Sequence, residues 1–436
     1  MPFRITIPLI LLLAFVAIGF LGGRQDSFGD PDLIKIVSSL PRSGSARGQT
    51  DTIVNGIKLA INDAGKKVEV IDPVTKQSKT FRIEYLDLDD ATAAEGQWTI
   101  EQEIANANQA RMDPDVMAYI GTYNSGAAKV SMPILNRVNM FMISPANTSP
   151  SLTKPGEGER HEPNCYRPTG KVNYTRVVPT DDLQAGLSAR WTQDMGMKKV
   201  YILDDNEVYG KGIADLFRVT CDKLGITVLG QQSIDSKAQE FTPLMTSIKA
   251  MNPDLIYFGG TTQTKAGQLL KDLVKVGMTC PMMAPDGCFE KAMIDSAGLD
   301  TFEKVTFYAT FGGLPIDALT EGKGLEFVEK YTKAYGMAPK DAYATYGYEC
   351  GLAVLESIRK AGKKDREAIR SAGLGLRNFD GATGRWSFDE NGDTTNQTMS
   401  GNKVIVVKKV VDGEEKKVGD FQFIKPLKLP QSTEQK

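Results

Sequence analysis

The chain has 436 residues, 41% of them hydrophobic, and its 52 basic and 54 acidic residues leave a formal net charge of −2. Because charges of both signs are mixed along the chain, nothing in it attracts nucleic acid or an anionic membrane surface, and we expect neither as a partner. The length suffices for two domains of ordinary size.

Residues 1–23 have the composition of an export signal or an N-terminal anchor. Arg4 precedes an apolar run from Ile5 to Leu21 that is short for a membrane span. The following residues, Gly22–Ser27, offer no good small-residue cleavage site and no cysteine for a lipid, so an uncleaved anchor stays open. Either form predicts that the body of the protein is periplasmic or otherwise extracytoplasmic.

Strand-like and helix-like segments alternate from Asp32 onward. A strand is predicted over 32–40, a helix with periodic apolar residues follows Thr50, and a second strand over 81–86 leads to a helix from about 93 to 110. Two further strands fall within 119–153. This alternation predicts an α/β fold with a parallel sheet covered by helices on both faces.

Two polar loops follow the last two of these strands. The first holds Thr122, Asn124 and Ser125, and the second is Ser144–Thr148. At the carboxyl edge of a parallel sheet, small hydroxyl residues and free backbone N–H groups suit a carboxylate ligand. The alternative is that both are ordinary capped turns, since Ser, Thr and Asn begin many helices.

A second alternating series follows the Pro-, Gly- and Glu-rich loop 153–172. It runs from a helix at Leu183 to a strand at 305–309 and predicts a second α/β lobe. The remaining segments are three predicted helices, two hairpin-like β segments and a tail of disordered composition, at 324–335, 343–361, 366–372, 385–388, 404–411 and 425–436.

The sequence holds little that points to a metal, a cofactor or catalysis. The single His161 lies in a loop, and no nucleophile motif, Walker A loop or dinucleotide fingerprint is present, so we expect no cofactor and no enzyme activity. The five cysteines are an odd number, so at least one is free or pairs with another chain. A bridge between Cys280 and Cys288 and a pair of buried thiols both stay open.

The order of short motifs resembles the leucine/isoleucine/valine-binding receptors of ATP-binding-cassette (ABC) importers, over nearly all of 32–411. The matching pieces are Ile120-Gly121 with Ser125, Met142–Pro150, Asp204-Asp205 with Tyr209-Gly210, Tyr257–Gly260 and Pro285-Asp286-Gly287. The resemblance implies a periplasmic binding protein of type I, with two Rossmann-like lobes joined by three crossings. It implies crossings at 178–182, 310–313 and 378–381, and lobe segments 30–179, 180–311, 312–379 and 380–424.

The same resemblance implies a function and a set of ligand-binding residues. A solute would bind between the lobes and be delivered to ABC permease subunits with their ATPases, and the receptor is expected to be a monomer. The ligand head group would contact Ser125, Ala146, Thr148 and Asp286, and Tyr209 would pack on it. Asp286 is one methylene shorter than the glutamate that the family usually has there.

Departures from the family pattern concern the side chain of the ligand. Gln49, Thr261 and Thr262 stand where leucine-type receptors are apolar or aromatic, and Arg42 adds a positive charge at the edge of the expected cleft. We therefore expect a polar amino acid, or a small amide or carboxylate, with Arg42 able to bind a second carboxylate. A solvated Arg42 is the alternative. A sensor of the same fold that reports to a signalling partner is the alternative function.

Overall fold

Two β-sheets, each flanked by helices, organise the chain into two lobes, as the sequence predicts. The computed structural model describes residues 29–411 and 414–429. The predicted export signal at 1–23 lies outside the described residues.

The first lobe contains a six-stranded sheet with the order β2-β3-β1-β4-β5-β6. Only the β2/β3 pair is antiparallel. All six residues of β4 are buried, as expected for a central parallel strand covered on both faces. The elements are β1 (Leu33–Leu40), α1 (Arg47–Asp63), β2 (Lys67–Ile71), β3 (Ser78–Asp89), α2 (Ile100–Met112), β4 (Val116–Gly121), α3 (Ser125–Asn136), β5 (Phe141–Ser144) and β6 (Tyr174–Arg176).

The second lobe contains a seven-stranded sheet with the order β15-β14-β11-β10-β9-β7-β8. Its strands from β7 to β11 pair in parallel. The elements up to β11 are α4 (Asp181–Asp194), β7 (Lys199–Asp204), α5 (Val208–Leu224), β8 (Thr227–Ser233), α6 (Thr242–Met251), β9 (Leu255–Gly259), α7 (Ala266–Lys275), β10 (Met282–Ala284), α8 (Lys291–Ala297), α9 (Leu299–Phe302) and β11 (Phe307–Gly312).

The strand order reverses at one point in each sheet. In the first lobe the chain moves outward from β1 to β3 on one side and to β4 and β5 on the other, and in the second lobe β7 has β8 on one side and β9 on the other. Loops that leave neighbouring strands at such a point diverge and form a crevice, which is where open α/β sheets bind ligands. The loops after β1, β4, β7 and β9 therefore face the space between the lobes.

The chain then returns to the first lobe and completes it with helices. These elements are α10 (Gly322–Tyr335), α11 (Tyr343–Ala361), α12 (Arg366–Leu374), β12 (Phe379–Gly381) and β13 (Gly384–Trp386). Helix α11 packs closely on α1. The two helices approach at Gly347, where a Cβ would lie only 2.1 Å from the carbonyl oxygen of Ile53, so only glycine fits. This close packing places the first residue of α11, Tyr343, beside the crevice.

The third passage between lobes occurs later in the chain than predicted. We expected it at 378–381, but β12 and β13 pair with each other there, and Glu349 of α11 accepts a hydrogen bond from the Trp386 indole. Buried Trp386 therefore holds this hairpin in the first lobe, and the chain crosses between β13 and β14 (Met399–Val411).

A long hairpin of β14 and β15 (Glu414–Leu427) ends the described chain. It joins the second sheet through antiparallel pairing of β14 with β11. The predicted tail at 425–436 begins too early, because Leu427 is buried and pairs with Met399. Residues 430–436 of that tail lie outside the described residues.

The cysteines and the acidic residues of the described chain show no covalent link and no metal centre. All five cysteines are free thiols, so the bridge left open between Cys280 and Cys288 is not formed. His161 is exposed in its loop. Within 29–411 and 414–429 no group of His, Cys, Asp and Glu has a metal-binding arrangement, and no helix there is long and apolar enough to cross a membrane.

Candidate functional site

A small cavity lies between the two lobes at the loops that leave the reversal points. It measures about 20 Å³, which is room for about one water molecule. The first lobe contributes Tyr123, Asn124, Ser125, Ala146 and Tyr343, and the second contributes Tyr209, Thr261, Asp286 and Gly287. Side chains of both lobes thus meet around the cavity, and the lobes must separate before a larger solute can enter.

The start of α3 supplies unpaired backbone donors at this cavity. Ser125 is the first residue of the helix and is 2% exposed, and the preceding Asn124 does not cap the helix with its side chain. The first N–H groups of a helix carry a partial positive charge and bind anions. The first four residues of α3 are small (Ser125 to Ala128). Gly126 is required there because a Cβ would lie 2.7 Å from the Trp98 ring.

The loop after β5 is held in shape by the hydroxyl of Ser144. This oxygen accepts hydrogen bonds from the backbone N–H of Ala146 (3.1 Å) and of Asn147 (2.8 Å) and donates to the carbonyl of Thr122 (2.9 Å). The N–H of Ala146 is therefore used inside the loop, so Ala146 can offer a ligand its carbonyl oxygen or its methyl group. Thr148 lies next in the same loop, is 3% exposed and has no hydrogen-bond partner for its hydroxyl.

Asp286 joins the two lobes. It follows β10 in a short turn, and Tyr209 of its own lobe donates a hydrogen bond to Oδ1 (2.8 Å), while Tyr343 of the first lobe donates to Oδ2. Burial raises the pKa of Asp286, and both phenolic hydrogen bonds act against that rise. Gly287 permits the arrangement, because a Cβ there would lie 2.9 Å from Thr261.

A second buried carboxyl group lies near the first. Asp181 begins α4 at the first crossing, is 0% exposed, and neither of its oxygens has a hydrogen-bond partner. Burial raises its pKa well above the usual range, and the charge of Asp286 is the next cause. The nearby Thr148 hydroxyl opposes this rise in the pKa of Asp181, although the Thr148 and Asp181 side chains form no hydrogen bond with each other.

The predicted site residues divide into two groups. Ser125, Ala146, Tyr209 and Asp286 line the cavity, and Thr148 lies behind it among buried groups. Gln49 is fully buried and accepts a hydrogen bond from the cavity-lining Tyr123.

The other two predicted residues stand apart from the cavity. Thr262 is half-buried and lies 3.5 Å from the carbonyl oxygen of Gly287, while its neighbour Thr261 lines the cavity. Arg42 forms ion pairs with Asp51 (2.7 Å) and Asp87 (2.9 Å) and does not line the cavity. Its guanidinium is already neutralised by this lobe, which fits the alternative of a structural arginine better than a ligand contact.

Two aromatic residues at the cavity were missing from the sequence-based set. Tyr123 stood inside the polar loop after β4, between residues that drew attention for their hydroxyl and amide groups. Tyr343 begins a helix far along the chain, and no local pattern marks it. Their rings lie edge to face, 6.1 Å apart.

A model of the periplasmic binding protein family matches residues 33–405. The chain belongs to this family. It is 27% identical over 265 residues to an amino acid binding protein of Pseudomonas aeruginosa, covering 61% of this chain and 66% of that protein. It is 26% identical over 366 residues to the Leu/Ile/Val-binding protein BraC3 of Rhizobium johnstonii, covering 83% of this chain and 88% of that one.

A solved structure agrees with the fold of the periplasmic binding protein family. The leucine binding protein LivK of Thermotoga maritima is similar with a TM-score of 0.72 and 23% identity, covering 90% of this chain and 98% of that one. The predicted resemblance and the two-lobed α/β fold are thereby confirmed. The family consists of substrate-binding receptors rather than enzymes, and its membership implies an extracytoplasmic location for this chain.

Proposed function

We propose that the protein is an extracytoplasmic receptor that binds an amino acid between its lobes and delivers it to an ABC importer. The observation that carries this proposal is the bond between Asp286 and Tyr343, which links the lobes at a cavity beside the start of α3. A negative group and a positive helix end thus face one small space. This is the charge pattern that a zwitterion complements.

The carboxylate of the ligand would bind at the start of α3. Ser125 contributes a buried hydroxyl, and the uncapped N–H groups of the first turn contribute further donors. Hydrogen bonds from backbone N–H groups to a carboxylate are short and charge-assisted, so they hold it more firmly than neutral pairs do. Among the residues that the structure describes, no lysine or arginine side chain lines the cavity, which leaves these dipoles as the carboxylate's partners.

The ammonium group would bind between Asp286, Thr148 and Asp181. The Thr148 hydroxyl and both Asp181 oxygens are buried and without partners, and a buried unpaired polar group costs about 1–3 kcal/mol. An ammonium placed between them donates up to three hydrogen bonds and removes that cost. The shorter side chain of Asp286 is compatible with this because Asp181 supplies a second carboxylate.

Delivery to a transporter is supported by the relatives rather than by any surface of this chain. The similar proteins include a substrate-binding protein of an ABC transporter from Desulfitobacterium hafniense in complex with leucine, and lobes that close on a solute create the compact form that a permease can distinguish from the open one. We include in the proposal that residues 1–23 direct export, whether or not they remain as an anchor, and that the receptor acts as a monomer. No feature of the described chain favours a signalling partner over a permease.

Calorimetry on an Asp286→Ala variant tests the proposal. Removing one partner of a buried charge pair costs about 2–5 kcal/mol, so the Kd for the bound amino acid is expected to rise by well over tenfold. The matched control is Asp222→Ala, an exposed aspartate near the far end of α5, which should leave the Kd unchanged. Unchanged affinity in Asp286→Ala would contradict the placement of the ammonium group.

A further inference from the structure

The interface between the lobes holds more buried carboxyl groups than an amino acid head group requires. Besides Asp181 and Asp286, Glu290 of the second lobe is 4% exposed and Asp341 of the first lobe is 8% exposed. Glu290 reaches the opposite lobe, since a Cβ on Gly48 at the start of α1 would lie 3.9 Å from its Oε2. Closure of the lobes therefore brings acidic groups of both lobes together.

These two further carboxyl groups surround a residue of the cavity. Tyr123 lines the cavity, and after burial the largest charges that raise its pKa are those of Glu290, Asp286 and Asp341, in that order. Glu290 accepts a hydrogen bond from the Gln263 amide (3.1 Å), and Asp341 accepts one from the backbone N–H of Tyr343 (2.8 Å). Neither bond comes from a cationic group.

In the part of the chain that the structure describes, no lysine or arginine forms an ion pair with Asp181, Asp286, Glu290 or Asp341; Asp286, Glu290 and Asp341 accept only from neutral donors. Neither the cavity nor its adjoining mouth, which runs past Trp98 and Asp205, is lined by lysine or arginine. Buried Arg176, whose charge does reach Asp181, is ion-paired with Asp393. Lys291 and Lys340 line the outer groove that Glu290 and Asp341 also line, but both lysines are exposed, and Lys291 is paired with Asp295.

Unpartnered buried groups in and beside the cluster point to a ligand there. No donor reaches either oxygen of Asp181, and no acceptor reaches the Nε2 of Gln49. Both residues are 0% exposed. Gln49 lies close enough to Asp341 to lower its pKa and still does not bond it. A polar network of this kind is costly unless a bound molecule completes it.

The remaining wall of the cavity suits a cation as well. The rings of Tyr123 and Tyr343 stand edge to face beside the carboxyl groups, and aromatic faces attract ammonium and guanidinium groups. Burial and the neighbouring carboxyl charges raise the pKa of Asp341 to about 7 and that of Glu290 to about 8.

Building on the proposed function, we propose that the ligand carries a second positive charge beyond its α-ammonium, bound between Asp341 and Glu290 against the Tyr123 ring. A zwitterion such as leucine adds no net charge to the four carboxyl groups, whereas a basic amino acid does. The ligand class is therefore a diamino acid or a guanidinium-bearing amino acid. This narrows the earlier expectation of a polar amino acid or a small amide or carboxylate, and it excludes the second carboxylate at Arg42, which would have to leave its two ion pairs.

The test is calorimetry on the wild-type chain with L-lysine, L-ornithine, L-arginine, putrescine, L-leucine and L-glutamate. We expect a basic amino acid to bind about tenfold or more tightly than leucine, and glutamate to bind least, since each unrelieved buried charge weakens binding by at least that factor. Tightest binding of leucine or glutamate would overturn the inference and leave the proposed function standing. Binding of none of the amino acids would overturn both.

Putrescine carries two ammonium groups and no carboxylate, so it tests the cation positions apart from the carboxylate site. Putrescine binding as tight as lysine would support the second cation position and contradict the carboxylate site at α3.

The variants Asp341→Asn and Glu290→Gln are each expected to raise the Kd for the best basic ligand by about tenfold and to leave the Kd for leucine unchanged or lower. The control is Asp222→Asn, at the exposed aspartate near the far end of α5, which should change neither.

Discussion

Tyr343 of the first lobe donates its phenolic hydrogen to Asp286 of the second lobe, although the two residues are 57 positions apart in the chain. The bond crosses the cavity and ties helix α11 to the loop after β10. Because hydrogen bonds to a charged group contribute about 1.5–3 kcal/mol, this single contact affects the balance between open and closed lobes.

Tyr343→Phe removes this contact and leaves the ring in place. We expect the Kd for the ligand to rise by about tenfold, since closure loses one charge-assisted hydrogen bond. Calorimetry measures the change. The control is Tyr335→Phe, which removes a hydroxyl that donates to the carbonyl of Asn55 (2.8 Å) within the first lobe. An equal loss of affinity in both variants would show that the interlobe bond has no special part in closure.

Asp181→Asn is expected to weaken ligand binding without lowering the stability of the ligand-free protein. The carboxyl group is fully buried without partners, so a replacement that cannot ionise avoids the cost of burying its charge and should leave the ligand-free protein at least as stable. The same change removes an ammonium contact and should raise the Kd by about tenfold or more. Thermal unfolding and calorimetry measure the two effects.

The neighbouring Asp182→Asn is the control for that experiment. Asp182 is paired with Lys154 (2.7 Å) and is partly exposed, so its replacement should slightly lower stability and leave affinity unchanged. Lower stability of Asp181→Asn together with unchanged affinity would contradict the role given to Asp181.

The stability of the ligand-free protein should depend on pH through Asp341 and Glu290. Their pKa values are raised to about 7 and about 8 in the folded protein, against about 4 for such groups in an unfolded chain. The folded state therefore binds more protons in this range. The stability that these groups contribute is fully present below about pH 4 and is lost as the pH rises through 7 to 8.

Thermal unfolding between pH 5 and pH 8.5 measures this dependence. Asp341→Asn and Glu290→Gln should each make the decline shallower, and a saturating basic ligand should do the same in the wild type. Glu103 and Glu349, whose pKa values burial raises to about 7 outside the cleft, contribute a decline that these variants leave in place. A stability that rises over this range would contradict the account of the buried carboxyl groups.

The fold could be predicted from the sequence where burial leaves a local pattern. The fully buried β4 is an apolar run bounded by turn residues, and such runs identified the central strands. The edge strand β2 was missed because it is only five residues long and buries only Val68 and Val70. Helix α2 begins at Ile100 rather than near 93, because Thr99 caps it and Ala91 bridges to Trp98 in the loop before it.

The candidate site could be predicted only where motifs lie next to each other in the chain. Ser125, Ala146, Tyr209 and Asp286 stand in such motifs, and all four line the cavity. Tyr343 could not be found in this way, since its position depends on the packing of α11 on α1. The charge of the site was also hidden, because the sequence shows Arg42 but not the ion pairs that neutralise it.

Small-angle X-ray scattering with and without a saturating ligand tests the central claim most directly. The described form is closed and leaves a cavity of only about 20 Å³, so an amino acid must enter a more open ligand-free form, whose lobes then close on it less tightly than in the described form. The account predicts a smaller radius of gyration in the presence of the ligand, and a reduced difference in Tyr343→Phe. An unchanged radius of gyration at a ligand concentration that calorimetry shows to be saturating would contradict closure of the two lobes around the solute.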